Sequence, residues 1–353
     1  MKEIKINKNL IGDKQNLYIT FECGPTHNGF KSAKRLIKIA KNSGANAVKF
    51  QSFKPENLLS DKKTKIDFKF LDKHKKLISK KLSLFFIFKK RNLKNSEWLK
   101  LKKYADKLKI DFFLTIGDDD GLELAKKMNC KSIKIASSDI NHIPFLEKVS
   151  KENFVLQIDT GNSTINEIEK AIKIFKKNKK NNIIIHYCPS GYPAENDGAN
   201  FNYIPFLKRK FKLPVGYSDH FISDIYSHVA IASGANLIEK TLSENIYQKN
   251  IEHSMSIQSD NAKDFVKKLH NTKMMFSKKM IFLTDKIIKK RSINRRSAYL
   301  KVNKRKNEKL KIEDIIFLRP GDGIGPDKIN SFMKMRIKSD LKKKTKIQLK
   351  HFI

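Results

Sequence analysis

The sequence predicts an α/β chain: a (β/α)8 (TIM) barrel followed by a small β-rich domain. Three observations lead there. Eight short apolar stretches recur through most of the chain, and each finishes in a polar or ionisable residue. Amphipathic, helix-period segments separate them, an alternation that implies parallel strands with crossover helices. Past about residue 283 the rhythm changes to short alternating runs. A doubly wound sheet is the competing architecture, disfavoured because eight units are present and no GxGxxG follows the first strand.

The first barrel strand is the stretch around which the rest is organised. YITFECGPTHNG runs from apolar residues into Glu22, then His27, Asn28 and Gly29. A strand ending in a carboxylate before a glycine-punctuated turn and a helix delivers one functional group to a barrel mouth. AVKF repeats the event at Lys49 and Gln51, DFFL at Thr115, and SIKI at Lys134, leading to Ser137, Ser138 and Asp139. FVLQI meets Asp159, NIII meets His186, PVGYSDH ends at Ser218, Asp219 and His220, and ANLI meets Glu239 and Lys240. Before the barrel, residues 3–11 read as a short strand or hairpin plugging its bottom.

Helices are expected over 31–42, closed by Gly44, and from Asn95 or Ser96 to about 108, then over 118–128 and 143–149. Thr164 and Glu167 form a capping box for the next, and further helices are expected over 202–212, 223–233 and 260–279. Residues 54–94 form a long lysine-rich insertion with no visible strand pattern, and insertions of that length at a barrel mouth are usually functional or flexible. The expected domains are a barrel over 1–283, a basic linker over 284–294 and a small domain over 295–353. Its strands are RRSAYLKV, EDIIFLRP and KIQLKHF.

The formal net charge is +39. Lysine exceeds arginine throughout and isoleucine, asparagine and phenylalanine are enriched with it, a pattern of biased composition rather than of a nucleic-acid surface. A basic mouth would still attract anionic substrates. Cys23, Cys130 and Cys188 are scattered, with no CxxC pair, which argues for a reducing compartment and no disulfide framework. The amino-terminal residues lack an apolar signal core, so the expected location is cytoplasmic, without membrane attachment.

At the mouth, Lys49 and Lys134 with Thr115, Ser137, Ser190 and Tyr192 would cradle a phosphate and a carboxylate, the ammonium groups neutralising charge and the hydroxyls donating hydrogen bonds. A single strand-end lysine is ordinarily a snorkelling surface charge; two on one face weaken that explanation. His186 and His220, with Glu239, Glu252 and His253 nearby in barrel order, are candidate divalent-metal ligands, although a lone strand histidine is more often structural. Glu22 is a candidate general base, or an ion-pair partner for one of the lysines.

Taken in order, ECGPTHNG, AVKFQSFKPENLLS, IKIASSDINHIPFLEKV, HYCPSGYPA, LPVGYSDH and LIEKTLS resemble the sialic acid synthase family. Its members condense phosphoenolpyruvate with an N-acylated hexosamine to make nonulosonic acids. RRSAYLKV…LKIEDIIFLRPGDGIGP is similar to the antifreeze-like (SAF) domain that follows the barrel in that family. The resemblance implies a transferase acting on an N-acetylmannosamine-like acceptor, with Glu22 and Lys134 catalytic. It further implies that Lys49, Thr115, Lys134, Ser137, Ser190, Tyr192 and Ser218 hold phosphoenolpyruvate, and that Gln51, Glu252 and Arg319 contact the sugar. It implies a manganese or magnesium ion on His220, and a domain-swapped homodimer in which Arg319 reaches the partner's barrel.

Three departures stand against that pattern. Thr241 replaces the second metal histidine, leaving Glu252 and His253 as candidates to compensate. Asp159 stands where relatives often have serine, and HYCPSGYPA carries one residue more between His and Tyr than the common form. The rival readings are a Schiff-base barrel aldolase with Lys134 as nucleophile, and a degenerate, non-catalytic binding protein.

Overall fold

The computed structural model describes residues 2–72, 74–178, 181–196, 199–276 and 283–353. The chain divides into two compact units, Met1–Ser277 and Lys278–Ile353.

The first unit opens with β1 (Ile4–Ile6) and β2 (Asn9–Ile11), an antiparallel hairpin. Its Ile4, Ile6 and Ile11 pack with Tyr18, Ala47, Phe113, Val155, Ile184 and Leu237, residues at or near the starts of the following strands. The expected bottom plug is therefore present. Eight parallel strands come next: β3 (Tyr18–Glu22), β4 (Ala47–Gln51), β7 (Asp111–Thr115), β8 (Ser132–Ile135), β9 (Val155–Asp159), β10 (Ile183–Tyr187), β11 (Val215–Asp219) and β12 (Leu237–Ser243). Each pairs with the next, and β12 pairs with both β11 and β3, which closes the barrel. The strands are buried on both faces, so they read as continuous apolar runs rather than as alternating ones.

Between the strands lie α1 (Phe30–Asn42), α4 (Asn95–Lys107), α5 (Asp119–Lys127), α6 (Ile143–Lys151), α7 (Ile165–Lys177), α8 (Tyr203–Phe211), α9 (Ile225–Ala232) and α10 (Ala262–Met275). In α1 the buried positions Ala33, Leu36, Ile37 and Ala40 fall at helical spacing on one face. Thr164 and Glu167 form the expected capping box, with the Thr164 Oγ1 accepting from the Glu167 N–H and the Thr164 N–H donating to Glu167 Oε2 at 2.7 Å. Such a cap stabilises a helix by about 1 kcal/mol. The helix expected over 260–279 is observed as α10; residues 277–279 lie outside the described residues.

The insertion corrects the sequence reading. After α2 (Pro55–Leu58), residues expected to hold no strand form an antiparallel hairpin, β5 (Lys65–Leu71) and β6 (Leu77–Ser83), followed by α3 (Leu84–Arg91). Phe68 and Phe70 point inward and pack with Ile87 and Ile251, with Ile66 and Leu82 at the margin. Lysines on the outward positions obscured this period-2 pattern in the sequence.

A two-residue strand, β13 (Ile257–Gln258), adds to β12. In the second unit, residues 284–294, expected as a linker, contain the helix α11 (Asp285–Asn294), capped by Thr284, whose Oγ1 accepts from the Ile287 N–H. β14 (Ser297–Leu300) and β15 (Ile315–Leu318) pair antiparallel, as two of the three expected strands. KIQLKHF does not form the third. It makes isolated bridges through Lys346 and Phe352 and a 3-10 turn at Leu349–His351. The buried Ile347 and Phe352 nonetheless join Ala298, Leu300, Ile315 and Ile337 in this unit's own core. Packing without continuous pairing explains how an alternating pattern arises there without a strand.

Candidate active site

The carboxyl ends of the barrel strands converge on a cavity of about 500 Å³. Register places the groups: Glu22 lies opposite Lys49 across β3 and β4, Thr115 opposite Lys134 across β7 and β8, and Ser218 opposite Glu239 across β11 and β12. Lys49 Nζ lies 2.7 Å from Glu22 Oε2 and 2.6 Å from Glu239 Oε1. Lys134 Nζ reaches the same Glu239 oxygen at 2.7 Å and Asp159 Oδ2 at 2.9 Å, and donates to Ser218 Oγ at 2.8 Å. Ser218 in turn donates to Asp159 Oδ1 at 2.9 Å. One carboxylate oxygen thus bridges two buried lysines. Gly24 makes room at the rim: a Cβ there would lie 2.7 Å from the Gln51 nitrogen and 2.8 Å from Glu22 Oε1.

The electrostatics follow from burial set against these pairs. Burial raises the Glu22 carboxyl above its ordinary value, with Lys49 only partly offsetting it. At Glu239 burial acts in the same direction, but Lys134 and Lys49 prevail and hold the carboxyl well below the usual range. Lys49 is driven well above its ordinary value because Glu22 and Glu239 overcome its burial. Glu252 is pushed up to about 8 by burial and by the neighbouring Glu22 charge. Burial, reinforced by Lys134, depresses His220 to about 4. Among the described residues, the buried Thr115 hydroxyl and Glu239 Oε2 in this site have no hydrogen-bond partner.

Above this floor the cavity is walled by Phe53, Leu58, Ile66, Leu84, Ile87 and Phe88, from β4's outgoing loop and the insertion. Arg91, the last residue of α3, enters the same lining. It is 5% exposed, and Nη2 makes one long contact, 3.5 Å to Asn250 Oδ1. Its Nε is buried with no partner. Burial lowers its pKa to about 10, opposed by the charges of Glu252 and Glu22.

The residues selected from sequence divide into three groups. Glu22, Lys49, Gln51, Thr115, Tyr192, His220 and Glu252 line the cavity, with Lys134 and Ser218 bonded into its floor. Ser137 and Ser190 do not line it; Ser190 donates instead to Asn162 Oδ1 at 2.8 Å. Arg319 belongs to the second unit. Asp139, which the sequence places after a strand end without a role, also lines the cavity, whereas Arg91 and the bridging position of Glu239 are not legible in the sequence. The arginine lay hidden in a lysine-rich stretch. The only available signal was that Arg91 follows the apolar run LFFIF.

Two metal-ligand candidates are corrected. His186 is fully buried below the cavity, its Nε2 2.9 Å from Gln157 Oε1 and its Nδ1 3.1 Å from Ser218 Oγ, so it is a hydrogen-bonded structural residue. His253 is buried outside the cavity lining, with Nδ1 3.1 Å from the Ile251 carbonyl. The Thr241 hydroxyl, beside Glu22 in the β3–β12 register, donates to Glu252 Oε2 at 3.2 Å. Among the described residues no group of three or more His, Cys, Asp or Glu side chains is arranged to hold a metal ion. The donor set therefore does not fit the manganese or magnesium centre that the resemblance implied.

The closed parallel barrel, with paired lysines and carboxylates buried at the carboxyl ends of its strands, has the build of a (β/α)8-barrel enzyme. The chain belongs to the NeuB family, whose pattern matches residues 36–280. It is an enzyme of that type, a transferase forming a carbon–carbon bond with phosphoenolpyruvate. It is 35% identical to an uncharacterised protein of Methanocaldococcus jannaschii, over 96% of both chains. It is 31% identical to the N,N'-diacetyllegionaminic acid synthase of Campylobacter jejuni, over 91% of this chain and 95% of that one. The N-acetylneuraminic acid (sialic acid) synthetase structure from Leptospira borgpetersenii superposes with a TM-score of 0.71 at 28% identity, covering 82% of this chain and 95% of that one. Among the described residues no helix is long and apolar enough to cross a membrane.

Proposed function

We propose that this protein condenses phosphoenolpyruvate with an N-acylated hexosamine to form a nonulosonic acid, releasing phosphate. The observation that carries the reading is the pair of buried lysines, Lys49 and Lys134, sharing Glu239 Oε1 at the cavity floor beside the unpartnered Thr115 hydroxyl. Two fixed cations and a free hydroxyl suit a ligand bearing both a carboxylate and a phosphate.

In this mechanism C3 of phosphoenolpyruvate attacks the aldehyde carbon of the open-chain sugar, leaving positive charge at C2. Water adds at C2, and the resulting tetrahedral intermediate expels phosphate. Lys49 and Lys134 hold the substrate's anionic groups throughout, so that binding energy is spent on orientation. Glu22, whose carboxyl burial raises above its ordinary value, positions that water or takes its proton. Tyr192 and His220, ring centroids 4.7 Å apart, form the opposite wall. The Schiff-base alternative needs the neutral amine of Lys134, which is enclosed by Glu239 and Asp159 and sealed from solvent.

The second unit is assigned to the SAF type, and Arg319 to the partner's acceptor site in a domain-swapped homodimer. An Arg319→Ala variant is expected to raise the sugar KM, and an unchanged KM counts against the crossing. The direct test of the function is phosphate release from phosphoenolpyruvate by the purified full chain across a panel of N-acyl hexosamines. Release dependent on one sugar supports the assignment. A folded protein that releases phosphate with none of them refutes it.

A further inference from the structure

As C3 of phosphoenolpyruvate attacks the acceptor, negative charge develops on the aldehyde oxygen, and a nearby cation or donor must meet it. The floor lysines are committed elsewhere: Lys49 and Lys134 each contact two carboxylates within 2.9 Å and are assigned the substrate's own anionic groups. The divalent ion that the resemblance implies would meet the need, but the side chains around its position do not suit one. Thr241 offers a neutral hydroxyl that donates to Glu252 Oε2 at 3.2 Å, a poor ligand beside imidazole or carboxylate. The His220 ring lies against Tyr192, centroids 4.7 Å apart, with its Nδ1 3.8 Å from Cys188 Sγ. Carboxylates at the neighbouring strand ends are already held by ammonium groups: Glu22 by Lys49, Asp159 by Lys134 and Asp219 by Lys240. A divalent ion would have to displace those cations.

The corner that lacks the histidine has a cation of another kind. Thr241 lies opposite Glu22 in the β3–β12 register and bonds Glu252, and all three line the cavity. Arg91, brought from the insertion by α3, lines the same cavity, and its charge acts on both Glu252 and Glu22. It is 5% exposed, yet its one side-chain hydrogen bond among the described residues is the 3.5 Å contact with Asn250, and its Nε is buried without a partner. A buried guanidinium with unmet donors costs free energy that an arriving oxygen recovers. Ile66, Leu84, Ile87 and Phe88, in the same lining, keep the surroundings apolar, where such a charge acts most strongly.

We propose that Arg91 takes the place of the divalent cation: its guanidinium donates to the acceptor's aldehyde oxygen and stabilises the charge developing there, so that turnover needs no divalent metal. The carbonyl π pair passes to its oxygen as the bond to C3 forms. One proton of the water that adds at C2 ends on that oxygen and the other leaves with phosphate, so Arg91 stays protonated throughout. This rests on the synthase reading above and deepens it.

The test uses the full chain dialysed against EDTA, its manganese and magnesium content read by mass spectrometry. Phosphate release is then followed for wild type, Arg91→Met and Arg91→Lys with the N-acyl hexosamine that supports it. Metal-depleted wild type is expected to keep its kcat within about twofold, whereas Arg91→Met loses about a hundredfold or more in kcat with both KM values little changed. Arg91→Lys keeps the cation and recovers part of the loss. Urea unfolding gives the readout that a structural arginine would move: removing a buried charge with unmet donors is expected to leave the Arg91→Met midpoint at or above wild type. Turnover lost on depletion and restored by manganese overturns the proposal. So does an Arg91→Met chain that keeps its kcat, that loses only in sugar KM, or that unfolds earlier without rescue by lysine. These outcomes strike the role of Arg91 alone. A wild type that releases phosphate with no sugar, with or without manganese, refutes the synthase reading and this role with it.

Discussion

On the cavity floor, Lys49 and Lys134 share Glu239 and take Glu22 and Asp159 as second partners, each pair within 2.9 Å. On the wall, Arg91 has one 3.5 Å contact and an idle Nε. Both regions bury cations, but only the floor compensates them internally. The floor is set by eight strands in fixed register, whereas the wall hangs on one hairpin and its helix. The contrast teaches that the barrel neutralises its buried cations within the fold, while the insertion leaves the Arg91 Nε without a partner among the described residues.

The comparison breaks most severely at Lys134. Its replacement by alanine leaves Glu239 and Asp159 without their shared cation. Phosphate release is expected to fall by at least about a hundredfold, with stability reduced by about 3–5 kcal/mol in urea unfolding. A variant that retains wild-type turnover removes Lys134 from the floor's function.

Thr241→His sharpens the donor-set argument. Asp219, the last residue of β11, pairs with Lys240 of β12, so His220 and Thr241 each lie one residue beyond that pair. A second imidazole there is expected to tighten manganese binding about tenfold or more over wild type, read as a larger manganese-induced rise in unfolding midpoint. Equal midpoints with and without manganese in both proteins count against a latent site.

Asp159→Ser removes one floor carboxylate while keeping a hydroxyl. The KM for phosphoenolpyruvate is expected to fall about threefold or more as repulsion of the anionic substrate is relieved. A rise in KM means that Asp159 positions Lys134 rather than opposing the substrate.

The smallest effect concerns pH. The folded-state value of Glu252, about 8, lies above its ordinary 4.5, so its contribution favours the folded state at low pH and is lost as pH rises through about 8. Glu252→Gln does not titrate. Its unfolding midpoint relative to wild type is expected to rise between pH 5 and pH 9, by roughly 2 °C or more. The depressed histidines act oppositely: His186 and His220, at about 3 and 4, contribute stability above pH 6.5 that is lost on acidification. A variant that tracks the wild type at every pH shows that Glu252 is not held protonated by burial.

The barrel was legible because parallel strands buried on both faces print as uninterrupted apolar runs, and the polar residue ending each run marks the mouth. Glu22, Lys49, Thr115 and Lys134 could be picked from that pattern alone, since a strand end fixes where its side chain goes. Ser190 and His253 could not be excluded in the same way. They follow strands in loops, where the local backbone brings one to Asn162 and the other to the Ile251 carbonyl. His186 failed for a different reason: it lies within the strand, below the last layer, where Gln157 and Ser218 satisfy both ring nitrogens.

By itself the sequence determined the alternation of strands and helices, the residues at the strand ends and the change of rhythm near residue 284, because periodicity is a local property of the chain. Only the tertiary structure decided which of those ends share a partner. Glu239 bridges Lys49 and Lys134, which are separated from it by 190 and 105 residues, because barrel closure brings β12 beside β3. The tertiary structure likewise turned the lysine-rich insertion into a wall and carried Arg91 inward. Burial there depends on the packing of Phe68, Phe70 and Ile87 against Ile251, a contact across the chain that no local pattern records.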